Sequence, residues 1–192
     1  MTTLRAPAAL LRSIAIAAFA LACSSCIERP YKDAPTGRSQ FDYSTVRDAL
    51  VRGVPQDTVP VGAIFGNAAE LLGYRFDPTP LVGGQKARIT LFWRCRAEME
   101  QWHIFVHLDD ANGSGERIHA EHDPVMGRFP TDAWRPGDVI ADSFVVTLGH
   151  VPLNLFVGLY SKDETRLTLD NPGRGRDDGQ NRLFAGLLPV TP

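Results

Sequence analysis

The chain has 192 residues, 44% apolar and 22% charged, which are ordinary values for a globular protein with a sizeable core. Its formal net charge is −2, which argues against a nucleic-acid partner, since that needs a basic face. Three cysteines are too few for a disulfide scaffold.

The chain begins with Arg5 and Arg12, then an apolar run from Ile14 to Ala22, then Cys23-Ser24-Ser25-Cys26. A basic start, a short apolar segment and small residues before a cut site are the parts of a secretory signal. The run is far below the roughly 20 residues that span a bilayer as a helix. A cysteine after small residues resembles the lipobox of bacterial lipoproteins. That resemblance implies a signal over residues 1–22, lipidation at Cys23 with Cys26 as the alternative, and attachment to the membrane of the bacterial envelope. Ser24, where Asp is associated with inner-membrane retention, points to the outer membrane. An ordinary secreted protein, with Ala20-Leu21-Ala22 as its cleavage site, is the other reading. Loss of Arg5 and Arg12 with the signal leaves 18 basic and 22 acidic residues, net −4.

Residues 23–60 read as a tether, polar and rich in turn residues such as Pro30, Pro35 and Gly37. One short helix is predicted near 44–52, with Ser44 as N-cap, Val46 and Leu50 on one face, and Gly53 as the stop. Pro55 and Pro60 exclude more helix.

From residue 61 to 192 the period is two. Ile89, Leu91 and Trp93 alternate with Arg88, Thr90 and Arg94. Ile104, Val106 and Leu108 alternate with His103, Phe105 and His107. Two further alternating runs cover 140–148 and 153–160. Such alternation marks strands with one buried face. Turn signals separate them: Asp77-Pro78, Gly83-Gly84, Asn112-Gly113, Pro136-Gly137 and Asn171-Pro172-Gly173. The spacing predicts an all-β protein, an antiparallel sandwich of about eight strands.

The strings Leu71-Leu72-Gly73-Tyr74, Thr90-Leu91-Phe92-Trp93, Phe105-Val106-His107-Leu108-Asp109, Ala133-Trp134-Arg135-Pro136-Gly137-Asp138 and Val157-Gly158-Leu159-Tyr160 carry a resemblance. In this order, over residues 61–190, they resemble a bacterial extracytoplasmic β-sandwich domain that accompanies membrane glycosyltransferases using polyprenyl-linked sugars. The resemblance implies an Ig-like sandwich with an accessory, non-catalytic role. A link to glycan assembly rests on that analogy alone.

No catalytic signature is present: no G-x-S-x-G, no H-E-x-x-H, no glycine-rich phosphate loop. No cofactor motif is found, and no metal ion is expected. His103 and His107 share a strand face but stand about 13 Å apart. A histidine metal site would require one of them to pair across strands with His119. Residues 110–121 match a calcium loop at Asp110, Asn112, Ser114 and Glu121, but Arg117 stands where an apolar residue belongs and the flanks read as strands. Asn112-Gly113 predicts instead a hairpin turn. Cys95 shares the parity of Ile89, Leu91 and Trp93 and reads as a buried thiol.

The residues left for function are aromatics of the opposite parity: Phe92, Phe105, Phe156 and Tyr160. Partly exposed, some of them would form a ligand or partner surface. Trp134 is added as a possible sugar-stacking ring; its alternative role is to pin a loop onto the sandwich. The reading is therefore a lipid-anchored, non-enzymatic binding module for an envelope protein partner or a glycan. Direct glycan binding and an enzyme with an unrecognised site are the alternatives.

Overall fold

The computed structural model describes residues 38–192, except Ser114 and Glu116. The signal region and both Cys23 and Cys26 lie outside the described residues. The strands in chain order are β1 (Val59–Phe65), β2 (Ala69–Asp77), β3 (Leu81–Val82), β4 (Lys86–Cys95), β5 (His103–Asp110), β6 (Ile118–His119), β7 (Val139–Thr147), β8 (Leu153–Tyr160), β9 (Leu169–Asn171), β10 (Arg176–Asp177), β11 (Leu183–Leu188) and β12 (Val190–Thr191).

Two five-stranded antiparallel sheets face each other. One runs β7-β4-β2-β1-β9 and the other β10-β11-β8-β5-β6. A short parallel pair, β3 with β12, joins the chain's end to the residues after β2. The fold is an all-β sandwich. Its strands begin and end close to where the alternation predicts, because each run buries one parity.

The core is built from those parities. Ile89, Leu91 and Trp93 of β4, with Ile104, Val106 and Leu108 of β5 and Leu155, Val157 and Leu159 of β8, are all inaccessible to solvent. Trp93 packs between Phe65 and Trp134, with ring centroids 5.8 and 6.5 Å away. Cys95 is buried on the same face, and its burial pushes the thiol pKa up to about 11.

The segment read as a tether is part of the domain from residue 38 onward. Arg38 donates through Nε to the Trp134 carbonyl at 2.8 Å and pairs with Glu98 at 3.1 Å. Phe41 stacks on Phe129, and Tyr43 meets the Phe129 ring edge to face. In place of the helix predicted near 44–52 there is one 3-10 turn, Tyr43–Val46, and its N-cap is Asp42, whose carboxylate accepts from the Ser44 amide at 2.9 Å. The helix stops because residues 49–51 pair with the free edge of β7: the Ala141 amide donates to Ala49, and Val51 donates to Val139. Covering an edge removes a pairing hazard, and here it outweighs helical propensity. The same segment borders the ring of Phe92, which is only 2% exposed on the outer face of the β4 sheet.

Candidate functional site

The outer face of the β5–β8 sheet gathers most of the chain's unassigned chemistry. Register places His103 opposite Tyr160, Phe105 opposite Gly158, His107 opposite Phe156, and Asp109 opposite Asn154. On the far side of β8, Phe184 stands opposite Phe156, with ring centroids 5.5 Å apart. On the far side of β5, His119 stands opposite His107.

Arginines from the surrounding loops lie over these rings. The Arg182 guanidinium sits 3.9 Å from the Phe156 centroid, Arg176 4.9 Å from Phe184, and Arg166 5.2 Å from Phe105. Such cations are attracted to the negative ring faces. Arg182 is held by Asp178 at 2.6 Å and Asp109 at 3.3 Å; Arg117 grips Asp109 through two nitrogens. Burial pushes the Asp109 carboxyl up, but Arg117 and Arg182 outweigh it and hold the pKa below the ordinary value. Arg166 donates only to Gln180 among the described residues.

Two shallow, open clefts cut this face. One, of about 340 Å³, is lined by Phe105, His107, Glu121, Tyr160, Glu164 and Arg166. The other follows the β5–β6 connection, between Asp109, Arg117, Asn154 and Phe156.

Phe156 and Tyr160 are partly exposed at this face, where the alternation puts them. Phe105 shares the face but is only 4% exposed, contrary to expectation. Its cross-strand partner is glycine, so the ring lies flat on the backbone of β8; a Cβ at position 158 would come within 2.2 Å of the ring. Trp134 is not part of any surface. It is fully buried, its indole N–H donates to the Phe129 carbonyl at 3.0 Å, and it pins the loop before β7 onto the sandwich.

Asp110 and Glu121, the first and last positions of the calcium-loop pattern, do not come together. Asp110 accepts from the Asn112 amide at 2.7 Å and closes the turn that follows β5, and Gly113 there takes a φ of +74°. Glu121 lies beside Phe105, some five strand residues from Asp110, a separation of about 16 Å that one ion cannot bridge. Its carboxylate is engaged elsewhere: one oxygen accepts from His107 Nε2 at 2.9 Å and from His119 Nδ1 at 2.8 Å. Burial opposes the Glu121 charge, but these two imidazoles keep its pKa below the ordinary value. The His107 pKa is lowered, by burial first and by the nearby Arg117 charge second. His103 makes a separate hydrogen bond with Asp123.

The arginines escaped sequence reasoning. Arg117, Arg166, Arg176 and Arg182 sit in loops and short edge strands, where no periodicity says which face they will reach. The trio of His107, His119 and Glu121 depends on a register that the turn after β5 sets.

No family model matches the chain, and no curated protein matches its sequence. Among solved structures it is similar to the C-terminal domain of Wzt, with a TM-score of 0.50 and 13% identity, over 72% of this chain and 83% of that one. At that identity the likeness concerns the fold alone. It agrees with the antiparallel sandwich described above.

Proposed function

We propose that this chain is a non-enzymatic, lipid-anchored module of the bacterial envelope that binds a saccharide on the outer face of the β5–β8 sheet. The observation that carries the reading is the set of arginine-capped rings beside an open cleft. Sugars present apolar C–H faces and a rim of hydroxyls. Tyr160 offers a ring with no guanidinium over it among the described residues, the guanidiniums over Phe156 and Phe184 offer donors, and Arg166, Asn154 and Glu164 offer further donors and acceptors. Arg166 and Arg176, which form no ion pair among the described residues, favour a saccharide with acidic groups.

A protein partner would call for a contiguous apolar patch. Of the large apolar side chains exposed among the described residues, Val54, Val59, Met126, Val145 and Leu187, only Leu187 belongs to this sheet, while Met126 and Val145 line one cleft along β7 of the opposite sheet. An enzyme would favour an enclosed pocket with unpaired titratable groups. Here the clefts are shallow, Asp109 and Asp178 are tied into ion pairs with arginines, and Glu121 is hydrogen-bonded to His107 and His119. Membrane attachment rests on the signal and on Cys23, with Cys26 as the alternative, and outer-membrane placement rests on Ser24.

The binding test uses the full chain and affinity electrophoresis through gels containing neutral or acidic envelope polysaccharides. Acidic polysaccharide should retard the wild type. Tyr160→Ser and Arg166→Gln should lose at least about tenfold in affinity while melting like the wild type. No retardation by any polysaccharide, or retention by both variants, overturns the reading. Anchoring is tested separately: Cys23→Ala with Cys26→Ala should release the protein from the membrane fraction, and persistence there after a high-salt wash overturns it.

A further inference from the structure

We propose that His107, His119 and Glu121 form a binding site for one divalent transition-metal ion of the zinc class. His107 and His119 are direct cross-strand partners, so both imidazoles leave the sheet on the same side. Glu121 is two residues past His119 and therefore on the same face. The three ligand atoms lie within 4.8 Å of one another. Donors bound at about 2.0–2.1 Å in a tetrahedron are about 3.3 Å apart. The two nitrogen-to-oxygen separations of 2.9 and 2.8 Å need to open only slightly to admit an ion.

The chemistry of the donor set matches. Two imidazoles and one carboxylate suit zinc, nickel or copper, and three protein ligands leave a fourth position open. Glu121 and His107 also line the cleft with Tyr160, Glu164 and Arg166, so an open position there is reachable from solvent. The sheet holds His107 firmly. His107 is 7% exposed, and its ring lies 5.2 Å from Phe105 and 5.0 Å from His119.

One neighbour opposes the site. Arg182 Nη1 faces His107 Nδ1 at 3.5 Å. With Nε2 on a metal, Nδ1 keeps its proton and offers Arg182 no acceptor. Arg182 does not depend on that contact, because Asp178 and Asp109 already hold it. Arg117 is likewise neutralised by Asp109.

The test uses the full chain stripped with a chelator and no saccharide, so its outcome is independent of the glycan reading. Zinc is titrated against a chromophoric competitor near neutral pH, and cobalt is added to read coordination from its visible absorption. One ion per chain should bind at micromolar concentration or tighter, with the cobalt spectrum of a four-coordinate nitrogen and oxygen site. His119→Ala and Glu121→Gln should each weaken zinc by at least about tenfold and abolish that spectrum. His119 is largely exposed, so its loss leaves the fold intact. His103→Ala, on the same strand face but bound to Asp123, should bind as the wild type. The proposal is overturned by the absence of saturable one-to-one binding, or by binding that survives both variants, or by binding that depends on His103.

Discussion

His122 and Asp142 meet at 2.8 Å across the open edge of the sandwich, one paired to the β5 sheet and the other in β7 of the opposite sheet. Both are nearly inaccessible, with side chains 7% and 0% exposed. His122 Nδ1 faces the Ala120 carbonyl at 2.8 Å, so both ring nitrogens face acceptors, an arrangement that favours the doubly protonated ring. The other Asp142 oxygen accepts from the Val125 amide at 2.7 Å. Val125 has a φ of +54°, an unusual conformation for a β-branched residue, and Asp142 holds it there.

This pair predicts a pH dependence. Burial lowers the His122 pKa, but the hydrogen bond and charge of Asp142 outweigh it and raise the pKa above the ordinary value. A raised pKa means that the folded state holds the proton more tightly than the unfolded chain. The stabilisation is therefore full below the ordinary imidazole value of about 6.5 and is lost as pH climbs through the raised one. In urea melts, the advantage of wild type over His122→Gln should shrink as pH rises above the ordinary imidazole value of about 6.5. An advantage that grows with pH would contradict the assignment. Asp142→Ala, which strands a buried cation, should cost about 3–5 kcal/mol at about pH 6.

Phe105 and Gly158 predict a coupling. Gly158→Ala drives a methyl group into the ring and should destabilise the domain. Phe105→Ala should cost about 1.5–3 kcal/mol, the value of a buried phenyl group. The double variant should cost clearly less than the two single changes together, because the clash disappears with the ring. Additive losses in chemical denaturation would mean that the ring does not lie on Gly158. Trp93→Ala, in the central core, should cost more, about 3–5 kcal/mol.

Cys95 should be inert. With its thiol at about 11 and its side chain buried, the thiolate is scarce and unreachable at neutral pH. In the Cys23→Ala, Cys26→Ala background, a thiol reagent should modify the native protein orders of magnitude more slowly than the denatured one. Comparable rates would show that the edge near Cys95 opens readily.

Calcium should leave the melting temperature unchanged. A ligand that binds only the native state must raise stability, and Asp110 and Glu121 stand too far apart to share one ion. A rise of several degrees at sub-millimolar calcium, absent in Glu121→Gln, would show that these residues come together after all.

Much of this protein is readable from its local chemistry. Alternation along 89–93, 104–108, 140–148 and 153–160 determined the strands and their buried faces, since a period of two with one apolar parity has one economical solution. The same pattern placed Trp93 and Cys95 inside and Phe156 and Tyr160 outside. What alternation cannot express is the neighbour across the sheet. Phe105 has outward parity and is nonetheless covered, because register sets it on Gly158. Trp134 stands in a loop, where parity has no meaning, and the packing of Phe129 and Trp93 decides that it is buried. The short helix near 44–52 gave way to edge pairing with β7, a long-range contact worth more than local propensity. The trio of His107, His119 and Glu121 exists only through pairing between β5 and β6, and the arginine caps exist only where loops return over the sheet. Local sequence determined which side chains leave the core; only the tertiary structure, through register and loop closure, decided which of them meet.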